Sequence, residues 1–174
     1  ALEDIKSYEE RTEIPIEGGV TAILGENGAG KSTIQEGIGF ALFDSLPFSI
    51  KDFVREGANS GIVEVTFEQE TETGTERFRV TRGAGRTKYG VHRYDARADE
   101  WVDLDIASKS ELVRWLCARF GVADGDELGS LWESCIGVPQ TRFLADFAQT
   151  PRNRKRTFDS LLNIDAYEES WKTL

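Results

Sequence analysis

An α/β fold is the reading of this 174-residue sequence, and three patterns carry it. A glycine-rich loop separates a short apolar run from a helical apolar period. A block of alternating apolar and charged residues follows, punctuated by turn signals. The C-terminal stretch then spaces its apolar residues by 3, 4 and 3, the opening of a heptad seam. The length suits one compact domain, and 39% hydrophobic with 30% charged residues supports a folded core beneath a charged surface.

Taken in order, residues 2–8 and 11–16 read as two short strands, the second ending at Pro15. The run Val20, Thr21, Ala22, Ile23, Leu24 lies between glycines and reads as a buried strand. The loop Gly25-Glu26-Asn27-Gly28-Ala29-Gly30 comes next. A helix is predicted over residues 31–43, with Ile34, Ile38, Ala41 and Leu42 at helical spacing, and Pro47 closes that region. Gly37 and Gly39 inside it each cost about 1 kcal/mol relative to Ala, which points to close packing of the helix backbone, as against a sheet. Residues 61–70, 76–82, 89–94 and 101–104 read as four amphipathic strands of an antiparallel meander, with turns at Thr73-Gly74 and residues 83–85. Residues 110–120 read as a helix with Leu112, Trp115, Leu116 and Phe120 on one face. Acidic residues 123–129 read as a loop, and residues 131–138 as an apolar run ending at Pro139-Gln140. Thr150-Pro151 is a helix start, Thr as N-cap and Pro in the first turn, for a helix reaching Leu162. Asn163 breaks it, and Ile164, Tyr167, Trp171 and Leu174 open the heptad pattern.

The balance of 31 acidic to 21 basic residues gives a net charge of −10. Fourteen of the basic residues are Arg and seven are Lys. An acidic, lysine-poor surface fits salt adaptation, with an ordinary acidic protein as the alternative. No apolar stretch reaches the roughly 18 residues of a membrane helix, no signal peptide is evident, and without an initiator Met, Ala1 is not expected to be the natural start. Cys117 and Cys135 form no C-x-x-C pair, which fits a reducing cytoplasm and buried structural thiols. His92, the single histidine, falls in a strand and reads as structural.

Residues 25–32, GENGAGKS, fit G-x-x-x-x-G-K-[ST] at every fixed position. The glycines allow main-chain N–H groups to turn inward around phosphates, and the helix beginning at Lys31 adds free N–H groups and the positive end of its dipole. Lys31 would place a point charge on the β- and γ-phosphates of ATP, Ser32 would offer a hydroxyl to Mg²⁺, and Thr33 would reach the α-phosphate. Hydrolysis needs an acidic group near the metal and a group that orients water. No apolar strand after the loop ends in an acidic pair, so the chain is expected to bind ATP better than it cleaves it.

The loop with its preceding strand, the Pro139-Gln140 segment, Phe143-Leu144, the stretch from Arg152 to Phe158, Leu161-Leu162 and Tyr167-Glu168 before the heptad pattern together resemble one family. They look like the N-terminal head segment of the SMC-like ATPase of DNA double-strand-break repair, the coiled-coil partner of the Mre nuclease, known in bacteria as SbcC. The resemblance implies an ABC-type P-loop NTPase half-head spanning residues 1–162 and the root of a coiled coil at 163–174. It places Asn27, Gly28, Ala29, Gly30, Lys31, Ser32 and Thr33 on the nucleotide, and Lys6 where the family carries a phosphate-side Arg. Val54, Arg55 and Glu56 would pass the adenine and ribose. Gln140 would sit at the Q-loop, contacting Mg²⁺ and the attacking water, so Lys31 and Gln140 are the residues implied in catalysis. The implied partners are the C-terminal half of the same head, a second head joined in an ATP-dependent homodimer, the Mre-type nuclease and double-stranded DNA, with no membrane. The implied setting is a chromosome-associated cytoplasmic protein, and the acidic composition adds a halophilic archaeal source. Another ABC-class ATPase (a chromosome SMC or a transporter motor) is a competing reading. So is a DNA-tethering module with structural nucleotide, for which Arg152, Arg154, Lys155 and Arg156 are the basic cluster.

Overall fold

The computed structural model describes residues 1–72, 74–137, 150–152, 155 and 171. The chain divides into two units, Ala1–Gly137 and Val138–Leu174. In the second, Pro151, Arg152, Lys155 and Trp171 are helical, and the rest of the expected helix and heptad stretch lies outside the described residues.

The first unit contains a five-stranded antiparallel sheet whose spatial order follows the chain: β1 (Leu2–Glu3), β2 (Gly61–Thr71), β3 (Gly74–Ala84), β4 (Tyr89–Asp95) and β5 (Glu100–Asp103). The expected meander is present, and the register sets like with like. Val65 faces Val80, Phe67 faces Phe78, and Val80 faces Val91 on the inner side. On the outer side Glu68 lies opposite Arg77. Such cross-strand pairs stabilise the sheet and fix its register.

Helix α1 (Lys31–Phe43) begins and ends where the apolar spacing places it. It lies between two apolar clusters. Ile34, Phe40 and Ala41 pack with Leu2, Ile5, Phe53, Val63 and Ala84, whereas Leu42 and Phe43 pack with Val80, Val91, Leu112, Leu116, Leu128 and Trp132. The expected close approach at its glycines is also present. A Cβ on Gly37 would stand 2.9 Å from Leu2 Cδ2, and one on Gly39 would stand 2.5 Å from Trp132 Nε1. Buried Arg82 of β3 completes the C-terminal end of α1. Its Nη1 donates to the Phe40 carbonyl at 2.6 Å and its Nη2 to Asp44. A cation there complements the helix dipole.

Helix α2 (Ile50–Phe53) is a single turn capped by Ser49, which accepts from the Asp52 N–H and seats the fully buried Phe53. Helix α3 (Lys109–Phe120) starts with a reciprocal Ser108–Glu111 capping box, and its Leu112 and Leu116 are fully buried.

Several expectations are corrected. Residues 20–24 form no strand: Val20 is 99% and Leu24 90% exposed. An apolar strand needs a neighbour for its backbone, and the described sheet offers none there, since its members pair with one another from β1 to β5. The two N-terminal strands shrink to Leu2–Glu3 plus bridges Leu2–Thr12 and Ile5–Tyr8, because Asp4 and Lys6 take φ of 51° and 45° and turn the chain. The loop expected at 123–129 contains helix α4 (Gly125–Leu131). The Asp124 carboxylate accepts from the N–H groups of Asp126 and Glu127, acidic residues occupy its first turn, and Leu128 is fully buried. The apolar run that follows is a π-helical turn, Trp132–Ile136. Cys117 is buried as expected, but Cys135 on that turn is exposed.

Candidate phosphate-binding site

The loop of residues 25–30 folds tightly before α1. The Ala29 N–H donates to Glu26 O at 3.2 Å, and Gly28 and Gly30 take φ of 84° and 86°. Those values favour glycine and explain the two fixed positions. Lys31 folds back over the loop, its Nζ donating to the carbonyls of Gly25 at 2.8 Å and Glu26 at 2.6 Å. Gly30 is the N-cap of α1 and no side chain caps that end. The N–H groups of Lys31 and Ser32 are therefore open to an anion. Ser32 is exposed at the helix start, whereas Thr33 is buried with its N–H bonded to Gly30 O at 3.1 Å.

The turn at residues 5–8 supports this loop, a relationship the motif did not reveal. Ile5 and Tyr8 exchange backbone hydrogen bonds at 3.0 and 2.8 Å. From this turn the Ser7 hydroxyl donates to Gly28 O at 3.4 Å and the Tyr8 hydroxyl to Gly30 O at 3.2 Å. A Cβ on Gly30 would meet the Tyr8 ring at 2.9 Å. Burial raises the Tyr8 hydroxyl pKa above its ordinary value, keeping it a donor.

The same turn joins the loop to the segment around Val54. Lys6 N–H donates to Phe53 O at 3.1 Å, Arg55 N–H donates to Asp4 O at 2.9 Å, and Ile5 bridges Val54. The Arg55 side chain pairs with Glu9 at 2.7 Å, and Glu56 is exposed. The Lys6 ammonium pairs with Glu36 of α1 at 2.7 Å and lies 3.8 Å from the Phe48 ring centroid. The structure thus gathers the loop, the Lys6 turn and the Val54 segment along one edge. Gln140 lies outside the described residues.

The residues present fit a nucleotide triphosphate: a tight loop with left-handed Gly28 and Gly30, a lysine that spans it and a helix end that no side chain caps. Among the described residues no group of three His, Cys, Asp or Glu side chains could hold a metal. No helix among the described residues is long and apolar enough to cross a membrane.

Comparison with known proteins gives a consistent grouping. A family profile described as an AAA domain matches residues 1–171. Similar proteins include three named "DNA double-strand break repair Rad50 ATPase". The one from Methanocaldococcus jannaschii is 43% identical over 162 residues, covering 92% of this chain and 15% of its own. That from Methanococcus maripaludis is 29% identical over 171 residues, covering 97% and 16%. That from Methanopyrus kandleri is 26% identical over 170 residues, covering 97% and 19%. The chain therefore spans less than a fifth of the length of these relatives.

Proposed function

The chain belongs to the AAA-domain family, whose profile spans residues 1–171, and from that premise we propose that it is the ATP–Mg²⁺-binding N-terminal part of a DNA double-strand-break repair ATPase head. The observation that carries this reading is the loop itself, with Gly28 and Gly30 in the left-handed region and Lys31 bonded across it to two carbonyls. Lys31 holds the β- and γ-phosphates, exchanging its carbonyl partners for phosphate oxygens. The N–H groups of Asn27, Gly28, Gly30, Lys31 and Ser32 surround the phosphate chain, with the Ser32 side chain facing the metal and that of Thr33 the α-phosphate. Mg²⁺, when bound, neutralises charge developing on the transferred phosphoryl group. Lys6 adds charge from the turn below, steadied by Glu36, while Val54, Arg55 and Glu56 flank the base and ribose. Gln140 orients the attacking water.

Hydrolysis requires groups this chain does not carry, so activity arises when the C-terminal half of the same head joins it and a second head closes over the nucleotide. The exposed apolar run Val20, Ile23 and Leu24 supports that assembly, because open apolar side chains favour contact with a partner surface. The names of the relatives support a role in DNA double-strand-break repair, and the motif resemblance adds an Mre-type nuclease as partner at the chromosome and residues 163–174 as the root of a coiled coil. The acidic, arginine-rich composition supports a halophilic source.

Equilibrium binding of a labelled ATP analogue tests the reading. Lys31→Ala should weaken binding by at least about 100-fold, as expected for loss of charged hydrogen bonds. A folded variant that binds as tightly as wild type would sink it.

A further inference from the structure

We propose that Glu36 is a positioning residue for nucleotide binding, fixing the Lys6 ammonium beside the phosphate loop; this rests on the nucleotide reading above. Lys6 precedes the two residues that support the loop, where the Ser7 hydroxyl donates to Gly28 O at 3.4 Å and the Tyr8 hydroxyl to Gly30 O at 3.2 Å. Its ammonium lies 2.7 Å from Glu36 Oε2. Glu36 follows Ser32 by four positions on α1, so the two share a face and stand about 6 Å apart along the axis. Helical side chains lean toward the N-terminal end. The ion pair therefore sits about one helical turn from the open N–H groups of Lys31 and Ser32.

Three restraints act on Lys6. Its main chain takes φ of 45°, a left-handed conformation strained for a residue with a Cβ, and its N–H is committed to Phe53 O at 3.1 Å. Its Nζ rests 3.8 Å from the Phe48 ring centroid, and that ring packs at 6.0 Å against fully buried Phe53. Glu36 fixes the remaining direction, and the paired side chains are only 30% and 20% exposed. A free surface lysine gives up much rotamer freedom on meeting an anion. Here folding has already imposed that loss, and the cation is ordered before nucleotide arrives.

Glu36 has two opposed effects on a phosphate ligand. Ordering Lys6 favours binding, whereas a carboxylate one turn from the phosphates repels them. The Lys6 ammonium offsets that repulsion. Loss of the Glu36 charge should then weaken binding while Lys6 is present, but not once Lys6 is replaced. A role in helix support alone would weaken binding in both backgrounds, and a purely repulsive role would strengthen it in both.

The test measures the affinity of the full-length protein for a labelled ATP analogue with Mg²⁺, in wild type, Glu36→Gln, Lys6→Met and the double variant. Both changes keep side-chain length, and Lys6→Met keeps the apolar stem on Phe48; thermal unfolding verifies the fold. Lys6→Met should weaken binding about tenfold, the scale of a charge-assisted contact, and Glu36→Gln about threefold, the scale of one hydrogen bond. Added to Lys6→Met, Glu36→Gln should leave affinity unchanged or raise it. That change of sign is the coupling a double-mutant cycle isolates. If Glu36→Gln acts alike in both backgrounds, or Lys6→Met binds as tightly as wild type, the positioning role is overturned and the nucleotide reading stands. If wild-type protein fails to bind the analogue, both are overturned.

Discussion

The Tyr8 hydroxyl donates to the Gly30 carbonyl at 3.2 Å, while the Tyr8 ring occupies the space where a Cβ on Gly30 would project. One side chain thus holds the loop by a bond and by contact. Tyr8→Phe keeps the contact and removes the bond, so nucleotide affinity should fall about three- to tenfold, matching the net value of one hydrogen bond. Gly30→Ala meets both the ring and a φ of 86°, and the left-handed conformation alone costs about 1–2 kcal/mol. Binding of a labelled ATP analogue should rank wild type above Tyr8→Phe, and Tyr8→Phe above Gly30→Ala.

Arg82 is buried, bonded to Phe40 O and Asp44, and stacked over the Phe40 ring at 4.2 Å. Arg82→Ala strips the Phe40 carbonyl of its side-chain partner and leaves Asp44 with Lys109 alone, at 2.8 Å. It should lower unfolding stability by about 3–5 kcal/mol, the cost of breaking a buried pair. The shift in the urea midpoint measures it. Arg82→Ala/Asp44→Ala should recover little of that loss, because Lys109 still balances the Asp44 charge in the single variant.

The two glycines of α1 should respond differently to alanine. At Gly37 the obstacle is the tip of the Leu2 side chain, which can rotate away, and better helix propensity returns about 1 kcal/mol, so the change should be near neutral. At Gly39 the obstacle is a rigid, buried indole, and overpacking should cost about 1–3 kcal/mol. Thermal unfolding of both variants checks the order.

Glu64 sets an acid limit on stability. Burial disfavours its charge, but the hydrogen bond from Arg11 at 2.8 Å and the charges of Arg11 and Arg79 prevail and hold its pKa below the ordinary 4.5. A depressed carboxylate contributes stability that is complete above the unfolded value and disappears as pH falls through the folded one. Urea unfolding followed from about pH 7 down to about pH 3 should therefore show a decline below 4.5 that Glu64→Gln makes shallower. An unchanged slope in the variant would remove Glu64 from the acid transition.

The parts legible in the sequence were those written in local pattern. The fixed spacing of residues 25–32, the apolar period of α1 and the alternation of β2 to β5 each act over a few neighbours, and each is present in the structure. Residues 20–24 failed because burial of a strand depends on a partner elsewhere, which no local run can report. Helix α4 was hidden by its acids and glycines, although Asp124 followed by Asp126 and Glu127 is a capping signal that could have marked it. The support from Ser7 and Tyr8 needs a turn built on left-handed Asp4 and Lys6, non-glycine residues with no sequence cue for that conformation. Gln140 rests on resemblance alone.

Chain order and strand order coincide in the meander, and that has a consequence for how the protein comes to be. Every ladder from β2 to β5 joins a strand to the one synthesised just before it. Closing such short loops costs little entropy, so these contacts can form early and quickly. On the ribosome, β2 and β3 can zip along their eleven paired residues before α3 has emerged. The run at 20–24, although made before β2, has no such neighbour and stays unpaired while the sheet forms. A segment made before the meander would then be among the last to find its place, and shielding that apolar stretch during the interval becomes a task for chaperones.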